Sequence, residues 1–174
     1  MSSEELKIED KHVIAIIVDN EFGALARIVS LFSARGYNIE TLSVAVVDEK
    51  KNISRITITT YGSQATIDLI IKLLERLIPV HKVVDLSSSC PHVERSLVLV
   101  KVKITEETRD EVIRIGNIHN AKLVDKEKDH FLLQVADKPS RVNDFVQLLE
   151  PFGVLEVSHT GSAALSLGKN NILT

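Results

Sequence analysis

Tryptophan is absent from the 174 residues, and aromatic side chains make up only 4% of them. Flat surfaces on which bases or sugars could stack are therefore scarce, and any core must be aliphatic. Cys90 is the single cysteine, which excludes an internal disulfide and suits a reducing compartment. The opening Met1-Ser2-Ser3-Glu4-Glu5 has neither the basic start nor the apolar run of a secretory signal, and it is too acidic for a transit peptide. The longest uninterrupted apolar run, Val13 to Val18, falls far short of the roughly 20 residues that cross a bilayer. The net charge is −3 with no basic face, which argues against nucleic acid as the main partner. The expectation is a soluble, cytoplasmic chain with no membrane or nucleic-acid role.

Metal and nucleophile patterns are missing too. His12, His81, His92, His119, His130 and His159 show no H-x-x-x-H spacing, so no metal site is expected. Cys90 has no evident base beside it, and neither a P-loop nor a G-x-G-x-x-G occurs. His12 and His81 are expected at the surface or a sheet edge. No catalytic residue is assigned.

What is present is one architecture written twice. Residues 1–11 are polar and read as a tail. His12–Val18 is a β-branched run, hence a buried strand. Leu25, Ile28, Val29 and Phe32 recur at helical spacing, and Gly36 follows as a glycine stop. Tyr37–Val47 reads as a strand, 48–52 as a polar hairpin loop, and Ile53–Tyr61 as an alternating strand. Ile67, Ile70, Ile71, Leu74 and Leu77 mark a second helix, and Val80–Leu86 a fourth strand. The stretch 87–92, Ser-Ser-Ser-Cys-Pro-His, reads as a linker. The order then repeats: strand 95–104, helix 106–118, strands 122–125 and 131–135, a helix from Pro139, and strand 154–157. The expected fold is α+β, two ferredoxin-like βαββαβ domains in tandem at 12–86 and 93–174.

In such a sheet the strand order is expected to be 4-1-3-2. Strand 2 is then an open edge that invites pairing with a second copy. Three features converge near it. Asn20 follows strand 1 and can both donate and accept. Gly23 lets a ligand approach the start of the first helix, whose free N–H groups favour a carboxylate. Asn38 opens strand 2. Ala24, Leu25, Ile39 and Leu42 would add an aliphatic slot. A zwitterion with a branched side chain fits that set. Equally, Asn20 could simply cap the helix. Asp19, Glu21 and Glu40 could form an acid–base pair, or be solvated.

The run Asn20-Glu21-Phe22-Gly23-Ala24-Leu25-Ala26-Arg27, followed by Leu31-Phe32-Ser33-Ala34-Arg35-Gly36-Tyr37-Asn38-Ile39-Glu40-Thr41-Leu42, resembles the regulatory small subunits of acetolactate synthase, with an amino-acid-binding (ACT) domain at 12–86. His92-Val93-Glu94-Arg95 with Leu97 and Lys101 is similar to that family's entry into its C-terminal domain. The resemblance implies a non-catalytic regulatory subunit. Such a chain activates a catalytic subunit that carries thiamine diphosphate, Mg2+ and FAD, and binds no cofactor itself. It confers feedback inhibition by valine, bound at an ACT homodimer interface by Asn20, Gly23, Ala24, Leu25, Asn38 and Ile39. Ser96 departs from the family's usual acidic residue, and His159 and Leu167 from its usual arginines, so contact with the catalytic subunit is expected to differ. The alternative is a freestanding sensor acting on another partner. An RNA-recognition module would need aromatics on the central strands, and Arg55-Ile56-Thr57-Ile58-Thr59 has none. An acylphosphatase-type hydrolase would need an arginine in the first loop, which is acidic here.

Overall fold

The computed structural model describes residues 10–169 and 171–172, so most of the expected 1–11 tail lies outside the described residues. The first strand, β1 (Asp10–Asp19), starts within that expected tail. It is followed by α1 (Ala24–Ser33), β2 (Thr41–Asp48), β3 (Ile53–Gly62), α2 (Gln64–Leu74) and β4 (Val80–Asp85). These strands form one sheet in the order β2-β3-β1-β4, as the crossover rules require.

The uninterrupted apolar run in β1 follows from its central place in this sheet. Ile14, Ile16 and Val18 point to the helices and pack with Ile28, Phe32, Ile67, Ile70 and Leu74. Val13, Ala15 and Ile17 point the other way and are buried against Leu86, Ala164 and Ile172. A strand covered on both faces has no reason to alternate. β3 alternates in part: Ile56 and Ile58 join the helix-side core, while Arg55 is half-buried on the opposite face.

The second sheet comes from β5 (His92–Lys103), α4 (Arg109–Ile118), β6 (Lys122–Lys126), β7 (His130–Asp137), α5 (Pro139–Leu149) and β8 (Val154–His159). Its order, β6-β7-β5-β8, repeats the first topology. Val98, Val100, Val102, Phe131, Leu133 and Phe145 centre its core. The fold is α+β, with two ferredoxin-like sheets in tandem.

Three further differences from the expectation bear on the site and the domain division. β2 begins at Thr41 rather than Tyr37, because the exit turn of α1 runs to Gly36, closed by the Tyr37 N–H on the Phe32 carbonyl, and Tyr37–Ile39 is irregular. The expected 87–92 linker holds a short helix, α3 (Leu86–Ser89), with Asp85 as its N-cap. The chain also divides into two compact units, one running to Val93 and resuming at Ala164, the other Glu94–Ala163. The final segment, expected within a 93–174 domain, thus belongs with the first unit. There β9 (Ala163–Ser166) begins a return that places Ala164 and Ile172 on the outer face of β1. The Arg55 guanidinium donates to the Ala164 carbonyl at 2.6 Å, a charge-assisted bond.

His12 is not at the surface. It is 5% exposed, and its Nδ1 lies 2.8 Å from Asp85 Oδ2. The same carboxylate accepts from the Ser87 N–H and the Ser88 hydroxyl. Its partners come from the far end of the unit, so nothing adjacent in sequence announces its burial.

Candidate functional site

The loop between β1 and α1 is built around Gly23, which sits at φ 85° as the N-cap residue of α1. No side chain caps this helix end, so Asn20 is not a cap. The first backbone N–H groups of a helix have no partner inside it. The Arg27 N–H bonds the Gly23 carbonyl and closes the first turn. Nothing lies within 4 Å of where a Cβ on Gly23 would stand, so the space before the helix is open.

Asn20 is held by Asn52, at the tip of the β2–β3 hairpin. The Asn20 N–H donates to the Asn52 carbonyl at 2.7 Å. Asn52 Nδ2 donates to the Asn20 carbonyl at 2.9 Å, and Asn20 Nδ2 donates to Asn52 Oδ1 at 3.2 Å. Asn52 has φ 54°, a left-handed conformation that asparagine tolerates better than most residues. From the other side, the Asp19 N–H bonds the Pro79 carbonyl, and His81 Nε2 lies 2.7 Å from Asp19 Oδ1. The loop is therefore clamped on both flanks. Sequence reasoning singled out Asn20 and passed over Asn52, which bonds to it. The available signal was an asparagine ending a polar hairpin loop, where a left-handed residue is needed.

Asn38 lies elsewhere. Its carbonyl accepts from the buried Thr60 hydroxyl at 2.6 Å, and its Nδ2 faces Glu40 Oε2 at 3.4 Å. It helps line a cavity of about 450 Å3 with Gly36, Tyr37, Tyr61, Gly62 and Thr66. Ile39 is half-buried against the helix-side core. Ala24 is buried, whereas Leu25 is 38% exposed beside the open helix start.

Strand register fixes the separation of these two groups. Thr41 pairs with Thr59, and Thr59 with Val13, at one end of the sheet. Asp48 and Asp19 both pair with Ile53 at the other. Asn38 precedes the first end and Asn20 follows the second, so within one chain they are separated by roughly 20 Å or more of strand at about 3.4 Å per residue. The same separation keeps Glu40 from pairing with Asp19 or Glu21. Glu21 instead meets Arg27 at 2.7 Å in a solvent-exposed pair, of the kind worth little energetically.

Between the two groups runs β2, an edge strand with only β3 beside it. Val44, Val46 and Val47 are each more than 40% exposed on it. Among the described residues no cluster of three or more His, Cys, Asp or Glu could hold a metal ion. No helix among them is long and apolar enough to cross a membrane.

A βαββαβ sheet with a glycine-started first helix and an open second strand is the arrangement of an ACT domain, and residues 14–82 match the model for the ACT domain of acetohydroxyacid synthase small subunits. Residues 95–168 match the model for the small subunit of acetolactate synthase. The chain belongs to the acetolactate synthase small-subunit family. It is 44% identical over 156 residues to the acetolactate synthase small subunit of Aquifex aeolicus, covering 89% of this chain and 80% of that one. It is 35% identical over 159 residues to the isozyme 3 small subunit of Escherichia coli, covering 91% and 96%. Among solved structures, the acetolactate synthase small subunit of Thermotoga maritima superposes with a TM-score of 0.84 at 28% identity, over 92% of this chain and 99% of that one.

Proposed function

We propose that this chain is a non-catalytic regulatory subunit of acetolactate synthase, acting in the cytoplasm. It raises the activity of a catalytic subunit that carries thiamine diphosphate, Mg2+ and FAD, and makes that subunit sensitive to valine. The family membership supports a catalytic-subunit partner, and the geometry supports the effector site.

One observation carries the reading. Asn20 and Gly23 stand at one end of the sheet and Asn38 at the other, with the open edge β2 between them. A two-fold dimer made by antiparallel pairing of β2 with its twin sets the Asn38 end of one chain against the Asn20 end of its partner. Each of two equivalent sites then takes one half from each chain. Valine lies between them, its carboxylate on the free N–H groups of α1 and its ammonium on asparagine oxygens. Leu25 of one chain and Ile39 of the other flank its side chain. A ligand regulates only through unequal affinity for two states, and a site shared by two chains supplies that inequality when their interface shifts.

The test is calorimetry with valine, leucine and isoleucine on the full chain, beside activity of the reconstituted complex. Asn20→Ala and Asn38→Ala should each abolish valine inhibition while leaving activation of the catalytic subunit intact. Unchanged valine affinity in both variants would show that the site lies elsewhere.

A further inference from the structure

We infer that Asn52 is a positioning residue of the effector site, locking the Asn20 carboxamide with its oxygen turned out to meet the ligand's ammonium. The inference rests on the effector reading above and adds a residue to it.

The argument is one of donors and acceptors. A backbone carbonyl can only accept. The Asn52 side-chain atom 2.9 Å from the Asn20 carbonyl must therefore be its NH2 group. The other terminal atom of Asn52 is then its oxygen, which only accepts. The Asn20 atom 3.2 Å from that oxygen must in turn be the Asn20 NH2 group. One carbonyl thus fixes the orientation of both carboxamides, which the positions of their nitrogen and oxygen atoms alone would leave ambiguous. The consequence is that Asn20 Oδ1 is left over, and no bond among the described residues engages it. An oxygen held in place without a partner is an acceptor prepared for a cation. An asparagine that is not held can swing into solvent and offers the ammonium no fixed acceptor.

The lock is rigid because its frame does not depend on the side chains. The Asn20 N–H to Asn52 carbonyl bond at 2.7 Å and the Asn52 N–H to Glu49 carbonyl bond at 3.3 Å hold the hairpin tip against the loop. The left-handed φ of 54° at Asn52 is open to asparagine, aspartate and glycine. This makes clean variants available. Asn52→Gly keeps the turn and the backbone bond and deletes both side-chain bonds. Asn52→Asp keeps the acceptor that orients Asn20, replaces the donor to the Asn20 carbonyl with an acceptor, and adds a negative charge.

Valine affinity of the full chain is measured by calorimetry for wild type, Asn52→Gly and Asn52→Asp, with melting temperatures as a check on folding. Asn52→Gly should bind valine roughly tenfold more weakly, the order of one charge-assisted hydrogen bond. Asn52→Asp should stay within about threefold of wild type, since the orienting acceptor remains. A merely structural clamp predicts the reverse order, because aspartate sets a carboxylate against the Asn20 carbonyl. Wild-type affinity in Asn52→Gly, or an aspartate variant as weak as the glycine one, overturns the role. Failure of the wild-type chain to bind valine, leucine or isoleucine overturns the effector reading itself and this role with it.

Discussion

Gly23 separates backbone from ligand chemistry. Its φ of 85° strains any other residue, yet a Cβ there meets no neighbour. Gly23→Ala should therefore cost about 1–2 kcal/mol of stability from backbone strain alone, read as a shift in urea midpoint. Gly23→Asp should cost no more, because aspartate is strained less than alanine in this conformation, but it should lose valine binding by setting a carboxylate where the effector's carboxylate is proposed to lie. Equal valine affinity in the two variants would remove the carboxylate from the helix start. His12 and Asp85 make the opposite case, in which burial is everything. Asp85→Ala deletes the partner of His12 Nδ1 and of two groups at α3, in a position only 3% exposed. His12 Nε2 already has no partner in the described structure, so the ring would be left without any. Leaving a buried polar group unsatisfied costs about 1–3 kcal/mol, and equilibrium unfolding should show a loss of at least that order. Asp85→Asn should lose less, and a change below about 0.5 kcal/mol for the alanine variant would contradict this account.

Where an element had length and period, it could be read from sequence. The i, i+3, i+4, i+7 stripe of α1 and the apolar run of β1 needed no tertiary information. β2 was read too long because Tyr37 and Ile39 continue an alternating pattern, although both pack on the core from irregular backbone rather than a strand. The packing of Ala164 and Ile172 on the outer face of β1 could not be read, since β9 has only four residues and the surface covered lies more than a hundred residues earlier. That packing is testable through Arg55. Burial lowers the Arg55 pKa, but an arginine remains charged throughout the working pH range. Arg55→Ala should free the Ala164 carbonyl and speed amide exchange across residues 163–167, with about 1–3 kcal/mol lost from that local opening. Unchanged exchange would mean that the apolar burial of Ala164 and Ile172, with the Leu167 N–H on the Pro91 carbonyl, holds the segment without Arg55. On β2, Val44→Lys with Val46→Lys should leave the fold intact, since both side chains are already more than 40% exposed. The charges should block edge pairing and yield a monomer in sedimentation.

At the scale of the whole molecule, both halves of the candidate site were visible as short motifs, but their placement at opposite ends of a sheet emerges only from the register of three strands. Asn52 stayed hidden for the same reason: it reaches Asn20 because Asp19 pairs with Ile53, a contact that no local pattern encodes. This geometry has a thermodynamic consequence. If each effector bridges two chains, valine binding and dimer formation are linked, and linkage is reciprocal. With two sites per dimer, saturating valine must then tighten the dimer by the square of the factor by which dimerisation tightens each valine site. Sedimentation over a dilution series, with and without saturating valine, reads one side of that cycle; calorimetry on wild type and on the Val44→Lys, Val46→Lys variant reads the other. A hundredfold gain in dimer affinity corresponds to about 1.4 kcal/mol of coupling at each of the two sites, and the monomeric variant should then bind valine roughly tenfold more weakly. Leucine and isoleucine belong in the same series, because one methylene typically decides only about 1–3 kcal/mol and their order depends on the slot that two chains build together. A dimer constant indifferent to valine, beside a monomer that binds it as tightly as wild type, would place the whole site within one chain and reject the shared-site mechanism.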